Sequence, residues 1–163
     1  MRARARSPAA DAQVVRQRKS SFTITLENAM RIIAKVANGP HSHAVEVATD
    51  GAAKAISIAP KSSGLGSSVN GGELLFLALA TCYCNDLYRE ATARGITLQG
   101  VHVEVEGDFG GRGEPARGIT YRARVQADVP AAEVAALLAE TDRVAEIQNT
   151  VRQGCAVSFE FSS

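Results

Sequence analysis

The sequence contains no tryptophan, few aromatic residues of any kind, and only three cysteines among its 163 residues. An odd number of cysteines without framework spacing favours free thiols over disulfides, so we expect a protein of the reducing cytosol, that is, a cytoplasmic one. No apolar run approaches the roughly 18 to 20 residues that cross a bilayer, and we expect no membrane partner. The formal net charge of +1 gives no electrostatic reason to expect nucleic acid as a partner.

Basic residues are concentrated at the N-terminus. They are Arg2, Arg4, Arg6, Arg16, Arg18 and Lys19. Alanine, serine and glutamine surround them, and the apolar segment of a secretory signal is missing. A targeting peptide or a nucleic-acid-binding arm is possible here, but we interpret residues 1–19 as a disordered tail. Residues 20–163 then form a single domain, long enough to bury a core without disulfides or metal.

Residues 73–94 predict a helix around which the domain is organised. A glycine pair precedes this segment, its first turns are apolar, and Gly95 follows its charged end. Helical spacing places Cys82 on the face that carries Leu74, Leu75 and Ala78 and then Asn85, Asp86 and Arg89. Cys84 points to the opposite side. If this protein does chemistry, we expect it at Cys82.

The rest of the sequence predicts antiparallel strands and one more long helix. Alternating or short apolar segments predict strands at residues 22–26, 31–36, 44–47, 55–58, 101–106, 119–125 and 157–161. Glycine-rich segments at 60–72 and 107–118 predict loops. A proline at 130 begins the second helix and a glycine at 154 ends it. The order of these elements predicts an α+β fold with two long helices packed on antiparallel sheet.

Three segments of the chain carry motifs of a known family. Residues 73–82 read Glu-Leu-Leu-Phe-Leu-Ala-Leu-Ala-Thr-Cys, similar to an E-L-L-x-A-A-L-x-x-C helix, and residues 94–108 are similar to the helix exit and strand that follow. Residues 149–154 read Asn-Thr-Val-Arg-Gln-Gly, similar to an N-T-L-R-x-G motif. The chain thus resembles the OsmC/Ohr family, the osmotically inducible protein C and organic hydroperoxide resistance proteins.

The resemblance implies both an assembly and an activity. The assembly is an intertwined homodimer with each central helix in the interface. In active members, a thiol of this helix reduces an organic hydroperoxide and becomes a sulfenic acid. A second cysteine in a C-P-V-S segment then forms a disulfide with it, and a small thiol or a lipoylated reductant resets the pair. No cofactor and no metal are expected.

The chain departs from this pattern at three places. The C-P-V-S segment corresponds to residues 145–148, so that Ala145 replaces the resolving cysteine. Gly72 stands where the activating glutamate usually lies, and residues 38–43 read Asn-Gly-Pro-His-Ser-His where Ohr-type members carry an activating arginine. We therefore expect one-cysteine chemistry, in which a small thiol directly reduces a sulfenic acid at Cys82. The alternative is a catalytically silent dimer that binds a small apolar ligand between its subunits.

Two further cysteines have competing interpretations. Cys155 could stand in for the missing resolver, whereas Cys84 is interpreted as a packing or interface residue. A reactive thiol also needs a cation that lowers its pKa. The candidates are Arg89, the histidines and an arginine of the partner subunit.

The histidines and Glu73 are the remaining candidates. On a strand, His41 and His43 would project from one face and could chelate a metal with a cysteine or Glu73, but the alternative is a solvated turn. His102 is expected on an exposed strand face. Glu73 either compensates the dipole of the helix or reaches the thiol in place of the missing acid.

Overall fold

The computed structural model describes residues 29–161, so the predicted N-terminal tail and the strand predicted at 22–26 lie outside the described residues. The elements in chain order are β1 (Ile32–Gly39), β2 (Ser42–Thr49), β3 (Ala52–Ala55), α1 (Gly71–Ala93), β4 (Leu98–Phe109), β5 (Ala116–Ala127), α2 (Ala131–Val144) and α3 (Glu146–Gln153). All strand pairs are antiparallel, which confirms the α+β class.

The first three strands form a sheet in the order β1-β2-β3. The predicted hairpin of β1 and β2 is confirmed. Asp50 and Gly51 join β2 to β3 with φ angles of 48° and 86°, the two positive values that a tight hairpin turn requires. This turn places Ala52 opposite Thr49, so the strand begins three residues before the predicted segment 55–58.

The central helix α1 is set by local signals at both of its ends. Asn70 and Glu73 form a reciprocal capping box, with the Asn70 side chain accepting from the Glu73 N–H at 2.9 Å and the Glu73 carboxylate accepting from the Asn70 N–H at 2.7 Å. Gly95, with φ of 69°, follows the C-terminal end, where only glycine adopts such a backbone without strain. The predicted helix is therefore confirmed to within a few residues.

The core of the chain lies between α1, the β4–β5 hairpin and α2. Its fully buried members are Tyr83, Leu87, Ala91, Leu137 and Ala145. The buried stripe of α1 thus runs through Leu79, Tyr83 and Leu87. Leu74 and Ala78, on the predicted apolar face, lie outside this stripe and are exposed in the single chain. Cys82 lies beside the buried stripe, next to Tyr83, and is half-buried.

The β4–β5 hairpin is longer than the sequence predicts. The strands extend to Phe109 and from Ala116, so much of the predicted loop 107–118 is sheet. Gly107 lies within β4, near a shift in strand register, where a Cβ would come within 3.2 Å of the Arg117 carbonyl oxygen. This glycine therefore marks a close backbone approach and not a turn. Across the hairpin, the exposed side chains of Arg122 and Glu106 form an ion pair at 2.6 Å.

The predicted second helix, 130–154, is in fact two helices. Ala145 breaks it by adopting an extended backbone with φ of −65° and ψ of 109°. Carbonyl groups at the end of α2 are satisfied by α3: Asn149 Nδ2 donates to the Arg143 oxygen at 3.0 Å, and Arg152 Nη1 donates to the Asp142 oxygen at 3.1 Å. Alanine is a strong helix former, so no local signal at Ala145 predicts this break.

The predicted last strand, 157–161, does not form in the described chain. Residues 154–161 have no regular secondary structure. Val157, Phe159 and Phe161 are 95%, 89% and 88% exposed. The alternation that suggests a strand is real, but no strand within residues 29–161 pairs with this segment.

Candidate functional site

The site is centred on the thiol of Cys82, in the middle of α1. Its Sγ lies 3.4 Å from Oδ2 of Asp86, one helical turn later on the same helix. It also lies 3.9 Å from Oε2 of Glu146, the first residue of α3. The backbone N–H of Ile147 lies close enough to the sulfur to lower the pKa of the thiol. Two carboxylates and one backbone donor therefore surround the thiol.

This surrounding keeps the thiol protonated. Burial raises the pKa of Cys82 above its ordinary value, and the negative charges of Asp86 and Glu146 raise it further, while the Ile147 N–H acts in the opposite direction. Burial also raises the pKa of Asp86, whose residue surface is only 3% exposed. No cation of residues 29–161 contacts the sulfur, so these residues disfavour the thiolate form at neutral pH.

Among the described residues, Arg89 is the cation at this site, and it binds the carboxylates instead of the sulfur. Its Nη1 lies 2.8 Å from Oδ1 of Asp86 and 3.6 Å from Oε1 of Glu146, and its Nε donates to Glu90 at 3.2 Å. The donor atoms of Cys82, Asp86 and Glu146 lie within 4.8 Å of one another, a spacing that could hold a metal ion. The guanidinium of Arg89 already supplies positive charge to these carboxylates, so the arrangement favours a charge-balanced thiol site over a metal centre.

The break at Ala145 brings α3 to the thiol. The first N–H groups of a helix have no partner within it, which leaves the Ile147 N–H free to reach the sulfur. Ala145 itself is fully buried at the position where the resemblance places the resolving cysteine. Sequence reasoning placed Asp86 and Arg89 on the face of Cys82, but it assigned no role to Glu146 or Ile147. Their place in the resolver segment was the signal that could have found them.

Two positions near the start of α1 do not contribute to the thiol site. Glu73, nine residues before Cys82, forms the capping box with Asn70. This hydrogen bonding supports a structural role for the Glu73 carboxylate. Gly72 stands where the family usually has glutamate. A Cβ on this glycine would lie 2.6 Å from a ring carbon of Phe109, so the aromatic ring fills the space that an acid would need.

The other candidates lie apart from this cluster. Cys84 is half-buried, Cys155 is exposed, and both are free. His41 is exposed, and Nδ1 of His43 accepts from the Asn38 amide at 3.1 Å. Neither histidine belongs to a group of three potential metal ligands within residues 29–161. His102 lies on β4 opposite Arg124.

Beside the thiol site lies a small cavity of about 110 Å³. Its lining consists of Leu79, Ile119, Tyr121, Gln148, Val151 and Arg152. Nε2 of Gln148 donates to the Leu79 carbonyl at 2.9 Å, whereas its buried Oε1 has no hydrogen-bond partner in the described part of the chain. A buried acceptor of this kind favours a ligand or water that donates a hydrogen bond.

Comparison with protein families identifies the class of this protein. The model of the OsmC family, described as OsmC-like protein, matches residues 64–160, which include the thiol, both carboxylates and α3. The chain belongs to the OsmC-like family. A comparison with curated proteins gives no match.

Solved structures share the fold at low sequence identity. An OsmC-like protein from Mycoplasma pneumoniae has a TM-score of 0.57 and 16% identity, covering 77% of this chain and 89% of its own. An organic hydroperoxide resistance protein OsmC from Legionella pneumophila, described as a predicted redox protein, has a TM-score of 0.53 and 23% identity, covering 75% and 89%. An OsmC-like protein of unknown function from Vibrio cholerae has a TM-score of 0.50 and 13% identity, covering 75% and 92%. No helix within residues 29–161 is long and apolar enough to span a membrane.

Proposed function

We propose that this chain is a thiol-dependent peroxidase that reduces organic hydroperoxides through Cys82 in a one-cysteine cycle. The carrying observation is the half-buried thiol of α1, with the Asp86 carboxylate at 3.4 Å and the Glu146 carboxylate at 3.9 Å from its sulfur. The similar Legionella structure, described as an organic hydroperoxide resistance protein, supports the substrate class. Ala145 at the resolver position supports a cycle with one cysteine.

The proposed cycle takes the thiol of Cys82 through a sulfenic acid and a mixed disulfide and back to the thiol. Sγ of Cys82 attacks the distal oxygen of the hydroperoxide, so that an S–O bond forms, the O–O bond breaks and an alcohol leaves. The product is a sulfenic acid, two electrons more oxidised than the thiol. A small thiol then displaces water to give a mixed disulfide, and a second thiol releases Cys82 and carries away the oxidised reductant. All three cysteines are free, as this cycle requires.

The electrostatics predict a slow enzyme at neutral pH. Burial and two carboxylates raise the pKa of Cys82, and Arg89 neutralises those carboxylates without contacting the sulfur. The thiolate is the nucleophile, so a small thiolate fraction limits the rate.

We further propose that the functional unit is a homodimer. Large apolar side chains are exposed on several elements of the described chain, including Leu77 of α1 at 60% and the segment with Phe159 and Phe161. Large apolar side chains exposed in this number favour an interface with another chain. A second copy could also pair a strand with residues 157–161, whose alternation has no partner within the described chain.

The test is peroxide consumption by the reduced protein. Wild type treated with cumene hydroperoxide should lose one thiol per peroxide and form a sulfenic acid that a dimedone-type reagent labels at Cys82. Cys82→Ser should lose this activity, while Cys84→Ser, a matched change on the same helix, should retain it. Equal consumption by wild type and Cys82→Ser would disprove the enzyme.

A second candidate function is the binding of a small, largely apolar ligand. The observation that favours it is the cavity beside the site, with its unpartnered Gln148 oxygen. Native mass spectrometry of the purified protein tests this function. A co-purified ligand together with a Cys82 that resists thiol reagents would support it, whereas an empty protein with a peroxide-reactive thiol would exclude it.

A further inference from the structure

We propose that Asp86 is a catalytic residue that carries the proton from the Cys82 thiol to the leaving oxygen of the hydroperoxide. This inference rests on the peroxidase function proposed above. Asp86 Oδ2 is the nearer of the two carboxylate oxygens at the sulfur, at 3.4 Å against 3.9 Å for Glu146. The two residues are one turn apart on the same helix, so the backbone of α1 fixes their spacing.

The two oxygens of the Asp86 carboxylate have different partners. The guanidinium of Arg89 holds Oδ1 at 2.8 Å, which leaves Oδ2 facing the thiol. Asp86 is nearly fully buried, whereas the side chain of Glu146 is 66% exposed. A buried carboxylate held by one charged partner is a defined proton acceptor, while an exposed one exchanges protons with solvent. Arg89 is therefore a positioning residue for this step.

The step balances without a further reactant. Oδ2 takes the thiol proton as Sγ attacks the distal oxygen. The O–O bond breaks, its electron pair goes to the proximal oxygen, and that alkoxide takes the proton from Asp86. One thiol and one hydroperoxide give one sulfenic acid and one alcohol, and Asp86 ends in its starting state.

The charges around the sulfur explain why a proton-carrying residue is needed. Within residues 29–161, the charged groups that act on Cys82 and Asp86 are Arg89 on α1 and Glu146 on α3, and Arg89 is bound to carboxylates. A preformed thiolate is thus disfavoured, and an alkoxide is a poor leaving group. A single carboxylate that accepts the thiol proton and then donates it to the leaving oxygen both activates the sulfur and stabilises the leaving group.

The alternative role for Asp86 predicts a change of opposite sign. If Asp86 only repels the thiolate, then Asp86→Asn removes a negative charge and should make the thiol more reactive toward every reagent. If Asp86 carries the proton, the same substitution should slow sulfenic acid formation with cumene hydroperoxide by about 100-fold. Alkylation by iodoacetamide should be as fast as in wild type or faster, because iodide leaves without taking up a proton and the thiol proton can go to solvent.

The experiment compares three reagents on the full-length protein. Wild type, Asp86→Asn and the charge-matched control Glu133→Gln, on the first turn of α2, are treated with cumene hydroperoxide, peracetic acid and iodoacetamide. Peracetic acid releases a carboxylate, a good leaving group, so Asp86→Asn should affect it much less than cumene hydroperoxide. Glu133→Gln should match wild type with all three reagents.

If Asp86→Asn does not fold, the inference can still be tested on wild type in heavy water. Oxidation by cumene hydroperoxide should be slower in heavy water, and oxidation by peracetic acid should not. The inference is overturned if Asp86→Asn reacts with cumene hydroperoxide as fast as wild type does. It is also overturned if heavy water slows the reactions with the two peroxides equally. A Cys82→Ser variant that still consumes peroxide at the wild-type rate instead overturns the proposed function itself.

Discussion

The guanidinium of Arg89 lies 2.8 Å from the buried carboxylate of Asp86, and not against the sulfur of Cys82. The sequence places all three residues on one helical face and names Arg89 as a cation that could activate the thiol. In the structure, Arg89 binds the Asp86 carboxylate, and that carboxylate faces the Cys82 thiol. In the proposed cycle, activation of Cys82 passes through Asp86.

The first prediction concerns the reactivity of the thiols. Because burial and the neighbouring carboxylates raise the pKa of Cys82, its alkylation by iodoacetamide at neutral pH should be slower than that of the exposed Cys155. Its rate should continue to increase above the ordinary thiol pKa of 9.0. Peptide mass spectrometry across a pH series measures both rates, and a Cys82 that reacts fastest at neutral pH would contradict the prediction.

A second prediction concerns the free energy of unfolding at different pH values. Burial raises the pKa of Asp86, so its protonation stabilises the folded chain relative to the unfolded one. That contribution is complete below the unfolded value of 3.8 and is lost as pH rises through the folded value. Wild type should therefore gain stability relative to Asp86→Asn as pH falls from neutral toward about 4. Urea denaturation of both proteins tests this, and a pH-independent difference would refute it.

The third prediction concerns the link between α2 and α3. Asn149→Ala removes the hydrogen bond to the Arg143 carbonyl and should cost about 1 kcal/mol of unfolding free energy. Loosening α3 should also make Cys82 alkylate faster, because Glu146 and Ile147 lie against the sulfur. Gln153→Ala, at the exposed end of α3, is the control. Equal stability and equal alkylation in the two variants would argue against this link.

A fourth prediction restores the missing resolver. Ala145→Cys places a thiol beside the two residues that contact Cys82, in a fully buried position. Cumene hydroperoxide should then convert Cys82 into an intramolecular disulfide and consume two thiols per peroxide. Non-reducing peptide mapping detects the cross-link. Persistent sulfenic acid without a cross-link would place position 145 beyond the distance at which a disulfide closes.

The fifth prediction separates the core from the proposed interface by a matched pair on α1. Leu87 is fully buried, and Leu87→Ala should cost about 2 to 5 kcal/mol of unfolding free energy. Leu77 is 60% exposed, and Leu77→Ala should mainly weaken dimerisation. Denaturant titration and sedimentation velocity measure the two effects. If Leu77→Ala sediments as wild type does, the proposed interface on this face of α1 is wrong.

Local signals account for the features that the sequence predicts correctly. The capping box, Gly95 and the Asp50-Gly51 turn each lie within a few residues of the end they determine. The break at Ala145 could not be predicted, because hydrogen bonds from Asn149 and Arg152 in the next helix stabilise it. The part of the site that lies on α1 is predictable because its residues are close in sequence. Asp86 follows Cys82 by one turn, whereas Glu146 is 64 residues away.

The sheet of β1, β2 and β3 makes only marginal contact with the other helices and strands of the described chain. Its side chains are largely exposed, so it has little hydrophobic core of its own. With a second copy as its cover, as the proposed dimer implies, this sheet would gain its stability from association. Folding would then obey mass action, and the melting temperature would increase with protein concentration.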